Sequence, residues 1–223
     1  VTRYQVKFQS LEVGDTTLEV RSLLDDQQFH DPDGEAELAG ITSATWPLFG
    51  LVWPSARILA AAMLRFPVAG RRILEVGSGL GLASLVLHAR RADITASDCH
   101  PLARAFLAEN TVLNGMPPLP YCTGHWGRPN PHLGRFDLLI GSDLLYDRDL
   151  PDLLAGFVEA HTTAASEVII VDPDRGNRPR FNRKMAELGY RCVETRAAAF
   201  QQSGEPYKGR FLHFTRPLSA VQS

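Results

Sequence analysis

Apolar positions along this chain follow two different periods, and the change from one to the other lays out its elements. At 4–24 they alternate loosely, Val6 and Phe8, then Leu11 and Val13, later Leu18 and Val20, about Gly14-Asp15, which predicts a β-hairpin. Residues 25–40 are polar and acidic and read as a surface loop or arm. The segment 46–54 holds too many Pro and aromatic residues for a helix interior, but Pro54 suits the first turn of a helix over 55–65. Ile58, Leu59, Ala62 and Met63 make its apolar face, and Pro67 ends it. Strand-like runs then alternate with helical ones: strands at 72–76, 93–97, 120–123, 136–141, 167–171, 190–196 and 210–215, and helices at 80–90, 101–114, 150–163 and 178–188. This order predicts an α/β fold, a doubly wound and mostly parallel seven-stranded sheet with right-handed crossovers. No helical pattern separates the last two strands, so they predict a terminal hairpin and an antiparallel last strand. Two regions are expected: 1–45, a hairpin extension with an acidic loop, and 46–223, a single globular unit.

The chain's 223 residues suffice to enclose such a sheet. With 23 Lys+Arg against 25 Asp+Glu, the net charge of −2 provides no global basic field, so no nucleic-acid partner is expected. A local run of Arg175, Arg178, Arg180, Arg183 and Lys184 reads as a solvated loop and helix start, with an acidic partner as the alternative. Cys99, Cys122 and Cys192 are widely spaced and form no Cys-x-x-Cys pair, which argues against a disulfide framework and a zinc site. No apolar run approaches a membrane span, and no basic-then-apolar signal opens the sequence. The expectation is a cytoplasmic protein with no membrane partner.

The most informative local pattern is Ile73-Leu74-Glu75-Val76-Gly77-Ser78-Gly79-Leu80-Gly81, a buried-strand run that ends in three alternate glycines, followed by a second strand ending in Asp98. Glycines allow a sharp turn with no Cβ between main chain and ligand, and an acid ending the next strand suits a ribose diol. A dinucleotide fingerprint fails on spacing, because its third small residue would fall on Leu82. Gly-x-Gly-x-Gly preceded by Glu75 points instead to an adenosyl cofactor. The other candidates also lie at strand ends, as ligand sites in open α/β sheets do. Gly124-His125-Trp126-Gly127 offers an indole to a flat base, and Ser142-Asp143-Leu144-Leu145-Tyr146 offers a carboxylate and an aromatic wall after an apolar strand.

Together with Val52-Trp53-Pro54-Ser55-Ala56, Ala96-Ser97-Asp98, and Glu109-Asn110 with Asn114, these segments resemble methyltransferase family 16. This is the seven-β-strand branch of lysine methyltransferase-like proteins, related to enzymes labelled nicotinamide N-methyltransferase-like. The similarity covers roughly 49–171. It implies a class I methyltransferase, Rossmann-like fold and S-adenosyl-L-methionine as cofactor. Glu75, Gly77 and Gly79, with Ser78 and Gly81 in the same loop, would hold the amino-acid side. Asp98 would hold the ribose, Trp126 would lie by the adenine, and Trp53 would cover the methionine end. Ser142 is a further cofactor candidate, and Asp143 and Tyr146, the catalytic candidates, would border the entrance for the methyl acceptor. Cys99, where this branch varies, is a further adenosine candidate. The implied partner is a protein substrate, with lysine first among side chains; a small-molecule acceptor and a catalytically silent cofactor-binding domain are the alternatives.

Methyl transfer from a sulfonium relies mainly on positioning. A lysine acceptor must also lose its proton, and here two effects oppose each other. Asp143 would attract the cation yet favour its charged form, whereas aromatic walls from Trp53 and Tyr146 would desolvate the amine and favour the neutral one. The sequence leaves that balance open.

Overall fold

A computed structural model of the chain describes residues 4–197, 201–202 and 205–218. Its hairpin pairs β1 (Val6–Val13) with β2 (Thr16–Leu23) antiparallel, with Leu11 opposite Leu18 and Val13 opposite Thr16. Leu11, Val13, Leu18 and Val20 are buried, but Phe8 is 65% exposed. The cause is parity: the three-residue step from Phe8 to Leu11 puts them on opposite faces of the strand. In the acidic stretch, expected to be loop, one turn of helix forms, α1 (Glu35–Leu38). Asp31 accounts for it, because its two carboxylate oxygens accept the N–H groups of Ala36 (3.0 Å) and Glu37 (2.9 Å). A 3-10 turn (Trp46–Gly50) leads into α2 (Pro54–Met63), which begins at Pro54.

The central sheet then builds from β3 (Arg72–Val76), α3 (Leu82–Ala89), β4 (Asp93–Asp98), α4 (Ala103–Leu113), β5 (Tyr121–Thr123), β6 (Phe136–Ser142), α5 (Leu150–His161), β7 (Thr162–Asp172), α6 (Arg178–Glu187) and β8 (Arg191–Arg196). After two-residue strands β9 (Gln201–Gln202) and β10 (Glu205–Pro206), the chain returns as β11 (Arg210–Arg216). The seven-stranded order is β5-β4-β3-β6-β7-β11-β8. Strands β3 to β7 pair parallel, and β11 pairs antiparallel with both β7 and β8. The antiparallel strand is therefore not an edge: the crossover from β7 through α6 to β8 leaves a slot that β11 fills. β7 starts five residues earlier than its apolar run, directly after α5, because Thr162 turns extended and its hydroxyl donates to the Val158 carbonyl (2.7 Å).

Alternation within the strands sorts the core into two layers. Ile73, Leu138, Ile140, Ile169 and Val171 face α2, α3, α4 and the hairpin. Leu74, Val76, Leu139, Val168 and Ile170 face α5 and α6. The hairpin is fastened to α4 by two amides that imitate a neighbouring strand. Asn110 accepts from Arg21 N–H (2.7 Å) and donates to its carbonyl (3.3 Å), and Asn114 does the same with Glu19 (3.0 and 2.8 Å). Arg21 also pairs with Glu109 (2.9 Å) and lies over the Phe106 ring. The Glu109-Asn110…Asn114 pattern thus acts in docking the hairpin.

Candidate active site

The carboxyl ends of β3, β4 and β6 meet around the glycine turn. Gly77, Gly79 and Gly81 all have positive φ (57°, 50° and 71°), a region that L side chains enter only at a cost. A Cβ on Gly79 would sit 2.7 Å from the Phe49 carbonyl oxygen, and one on Gly77 would sit 2.6 Å from Leu144 and 3.6 Å from Trp126. The turn is therefore closed in by the 3-10 segment on one side and the segment after β6 on the other. The lid residue Phe49 is itself held by His100, whose ring stacks on it at 3.7 Å, with Trp46 edge-on. Burial holds His100 neutral, its pKa falling to about 3. Its Nδ1 accepts from Leu102 N–H (3.2 Å), and its buried Nε2 has no partner among the described residues.

The two acids of this half are engaged by the protein itself. Glu75 is buried, and its Oε2 accepts from both the N–H (2.8 Å) and the hydroxyl of Ser84 in the first turn of α3. Burial pushes its pKa up to about 7, against the lowering effect of those bonds. Asp98 accepts Gly79 N–H on Oδ2 and His100 N–H on Oδ1, both at 2.8 Å. Burial raises its pKa also, and the backbone donors oppose the rise. Each oxygen keeps a lone pair free for a further donor. Ser78 contributes a buried hydroxyl with no partner among the described residues, while its N–H bonds the Ser97 carbonyl (3.0 Å). Trp126 is half-buried on a loop clamped by Asn130, which bonds both main-chain groups of His125. Trp53 is half-buried and donates its indole N–H to the Leu48 carbonyl (2.8 Å). Burial pushes the Cys99 thiol up to about 12.

On the other side, the chain leaves β6 at Ser142, half-buried and in register with Val171, and turns left-handed at Asp143 (φ 55°). The Asp143 N–H is tied to the Val171 carbonyl (2.8 Å). A cavity of about 320 Å³ opens there, lined by Asp143, Ser55 at the head of α2, Asp174 and Arg175 after β7, and Tyr207 before β11. Arg175 donates to Asp143 Oδ1 through Nε (2.9 Å), and its Nη2 forms an ion pair with the same oxygen at 2.8 Å. Ser55 and Tyr207 share a hydroxyl–hydroxyl bond of 2.6 Å. Asp172, wholly buried, accepts Arg175 N–H on Oδ1 (2.7 Å) and leaves Oδ2 without a partner among the described residues. Asp174 is held by Arg178 and by Arg210 (3.1 Å). The expected basic run at 175–184 is thus largely paired: Arg180 with Asp152, and Lys184 with Glu187.

Tyr146 lies three residues beyond Asp143 and is 47% exposed. Partial burial comes first in pushing its phenol up to about 12, and the Asp98, Asp147 and Asp143 carboxylates add to the rise. Ser55, Asp174, Arg175 and Tyr207 are cavity residues that sequence patterns did not single out as site residues.

A family model described as lysine methyltransferase matches residues 48–186. The electron transfer flavoprotein beta subunit lysine methyltransferase of Mus musculus is 33% identical over 140 residues, 61% of this chain and 53% of that protein. The calmodulin-lysine N-methyltransferase of Arabidopsis thaliana is 29% identical over 164 residues, 66% of this chain and 53% of that protein. The chain spans about half the length of these relatives. Among solved structures, magnesium protoporphyrin IX methyltransferase from Synechocystis PCC 6803 with bound SAM is alike in fold. It has a TM-score of 0.59 at 15% identity, covering 85% of this chain and 100% of that one.

Proposed function

The chain belongs to the lysine methyltransferase family, methyltransferase family 16, and from that premise we propose that it transfers a methyl group from S-adenosyl-L-methionine to a lysine side chain of a protein. The observation that carries the reading is a glycine-and-Asp98 cradle at the ends of β3 and β4, with a carboxylate-bearing cavity opening at Asp143 after the neighbouring strand β6. The cradle fits the donor: bare main chain at Gly77 and Gly79, an unpartnered Ser78 hydroxyl, and free lone pairs on Asp98. When bound, the donor supplies an electrophilic methyl group on a sulfonium.

The chain's own residues then have separable tasks. Asp98 accepts from the ribose hydroxyls, while its bonds to Gly79 and His100 keep it aimed. Trp126 and Cys99 border the adenine side, and Trp53 and Ser142 border the methionine end. Glu75 takes part from behind, by fixing the start of α3 beneath the glycine turn. Asp143 and Tyr146 flank the acceptor entrance, and alignment of the acceptor nitrogen is their contribution to the rate. Three free thiols fit a reducing compartment, and we place the protein in the cytoplasm on that basis.

Electron transfer flavoprotein beta subunit and calmodulin, the proteins after which the two relatives are called, are the first acceptors to try. The test is incubation with methyl-labelled donor and either protein or a cell extract, followed by hydrolysis and amino-acid analysis. Labelled methyl-lysine is the expected result. Label confined to methyl-arginine, or to a small metabolite, would overturn the lysine assignment.

A further inference from the structure

Asp143 offers its two carboxylate oxygens unequally. Oδ1 takes both Nε and Nη2 of Arg175, whereas Oδ2 has no hydrogen-bond partner among the described residues. Arg175 is firmly presented: Asp172 holds its N–H, and the next residue back, Asp174, is pinned by Arg178 and Arg210. We propose that this carboxylate is divided by design, with Arg175 on Oδ1 and the acceptor amine, in its neutral form, donating an N–H to Oδ2. Arg175 is then the positioning residue that keeps the acceptor deprotonated.

The argument is electrostatic, and it rests on the acceptor being an amine, as proposed above. A bare carboxylate beside a lysine favours the ammonium, which has no lone pair to attack with. A carboxylate already paired with a guanidinium still accepts a hydrogen bond, but it no longer rewards a second cation. The rest of the cavity does not reverse this. Past Asp143 lie Tyr146 and Asp147; the β7 loop brings Asp172, Asp174 and Arg175; α6 brings Arg178; the β11 side brings Tyr207 and Arg210. From α2 the facing group is the Ser55 hydroxyl, since Arg57 turns away to the Glu12 carbonyl. Asp143 is thus matched by Arg175, and Asp174 by Arg178 and Arg210, which also pair with Glu194. Asp147 is exposed to water, and burial disfavours the charge on Asp172, so the carboxylate that an entering ammonium meets at Asp143 is one already paired. The ammonium's proton passes to water before entry. With one N–H on Oδ2, the nitrogen lone pair is directed away from Asp143, and the methylated product, again an ammonium, is disfavoured by the same guanidinium and leaves.

The test uses n-butylamine, which matches a lysine side chain in length, titrated calorimetrically into protein saturated with S-adenosylhomocysteine at pH 7, 8 and 9. The unaltered protein should bind more tightly by about tenfold per pH unit, following the neutral fraction of the amine. In Arg175→Gln the affinity at pH 7 should rise and the slope should flatten, because Asp143 now welcomes the cation. Arg175→Lys should restore most of the slope, which a purely structural role for Arg175 would not do. A slope unchanged in Arg175→Gln, a flat profile in the unaltered protein, or no amine binding at any pH would each overturn the inference. An intact slope shift without any methyl-lysine in the labelling experiment would support the divided carboxylate and overturn only the lysine assignment.

Discussion

On the glycine-turn side of the cleft, Glu75 and Asp98 are bonded by groups of the same βαβ unit: Ser84 for one, Gly79 and His100 for the other. On the acceptor side the partners come from far apart in the chain. Asp143 meets Arg175, Asp174 meets Arg210, and Ser55 meets Tyr207 across 152 residues. The first half is a local device made chiefly of main chain, and the second is a set of charges assembled by the packing of separate segments. The contrast suits the proposed chemistry, in which the donor is constant and its cradle can be generic, whereas the acceptor must be chosen.

The strongest way to break this comparison is to remove one acid from each half and measure S-adenosylhomocysteine binding. Asp98→Ala strips the proposed ribose contact and leaves the Gly79 and His100 N–H groups unanswered, so the affinity should fall at least about 100-fold, since charged hydrogen bonds contribute about 1.5–3 kcal/mol each. Asp143→Asn should leave that affinity within about threefold while methyl transfer is lost, as expected for distant, independent sites. Equal losses of binding in both would mean that the halves are not separate.

A second measurement sharpens the first half. Glu75 has a folded pKa of about 7 against an ordinary 4.5, so folding favours its protonated form. Its contribution is fully present below pH 4.5 and is lost as pH rises through 7. Urea denaturation should show the unaltered protein losing up to about 3 kcal/mol relative to Glu75→Gln between those limits, 1.36 kcal/mol per pKa unit being the conversion. A constant difference across that window would show that Glu75 does not titrate there. The smallest effect concerns the hairpin. Asn114→Ala removes its bonds to Glu19 and should lower stability by about 1 kcal/mol, with donor affinity unchanged. A parallel fall in donor affinity would place the hairpin within the cradle's support.

These halves also differ in how far they could be read before the fold was known. The strands at 72–76 and 191–196, the Gly77–Gly81 turn and the acid Asp98 carry their signals within a few residues, and each stands where periodicity and spacing put it. Glu75 was visible as a motif acid, but its bond to Ser84 depends on α3 folding back onto the inner face of β3, nine residues on. Phe8 followed the apolar pattern and still points outward, because strand parity outranks hydrophobicity once one face is packed.

Sequence by itself determined the order of the sheet's elements, the two-layer core and the Gly77–Gly81 turn beside Asp98, since all three follow from side-chain period and from glycines at positive φ. Tertiary structure alone decided the acceptor cavity. Its members come together because β11 slots between β7 and β8, setting Arg210 opposite Asp172 and bringing Tyr207 to Ser55. Charges so far apart in the chain have no spacing to announce them: they become neighbours only when burial of apolar strands fixes the register, and Arg175 finds Asp143 there.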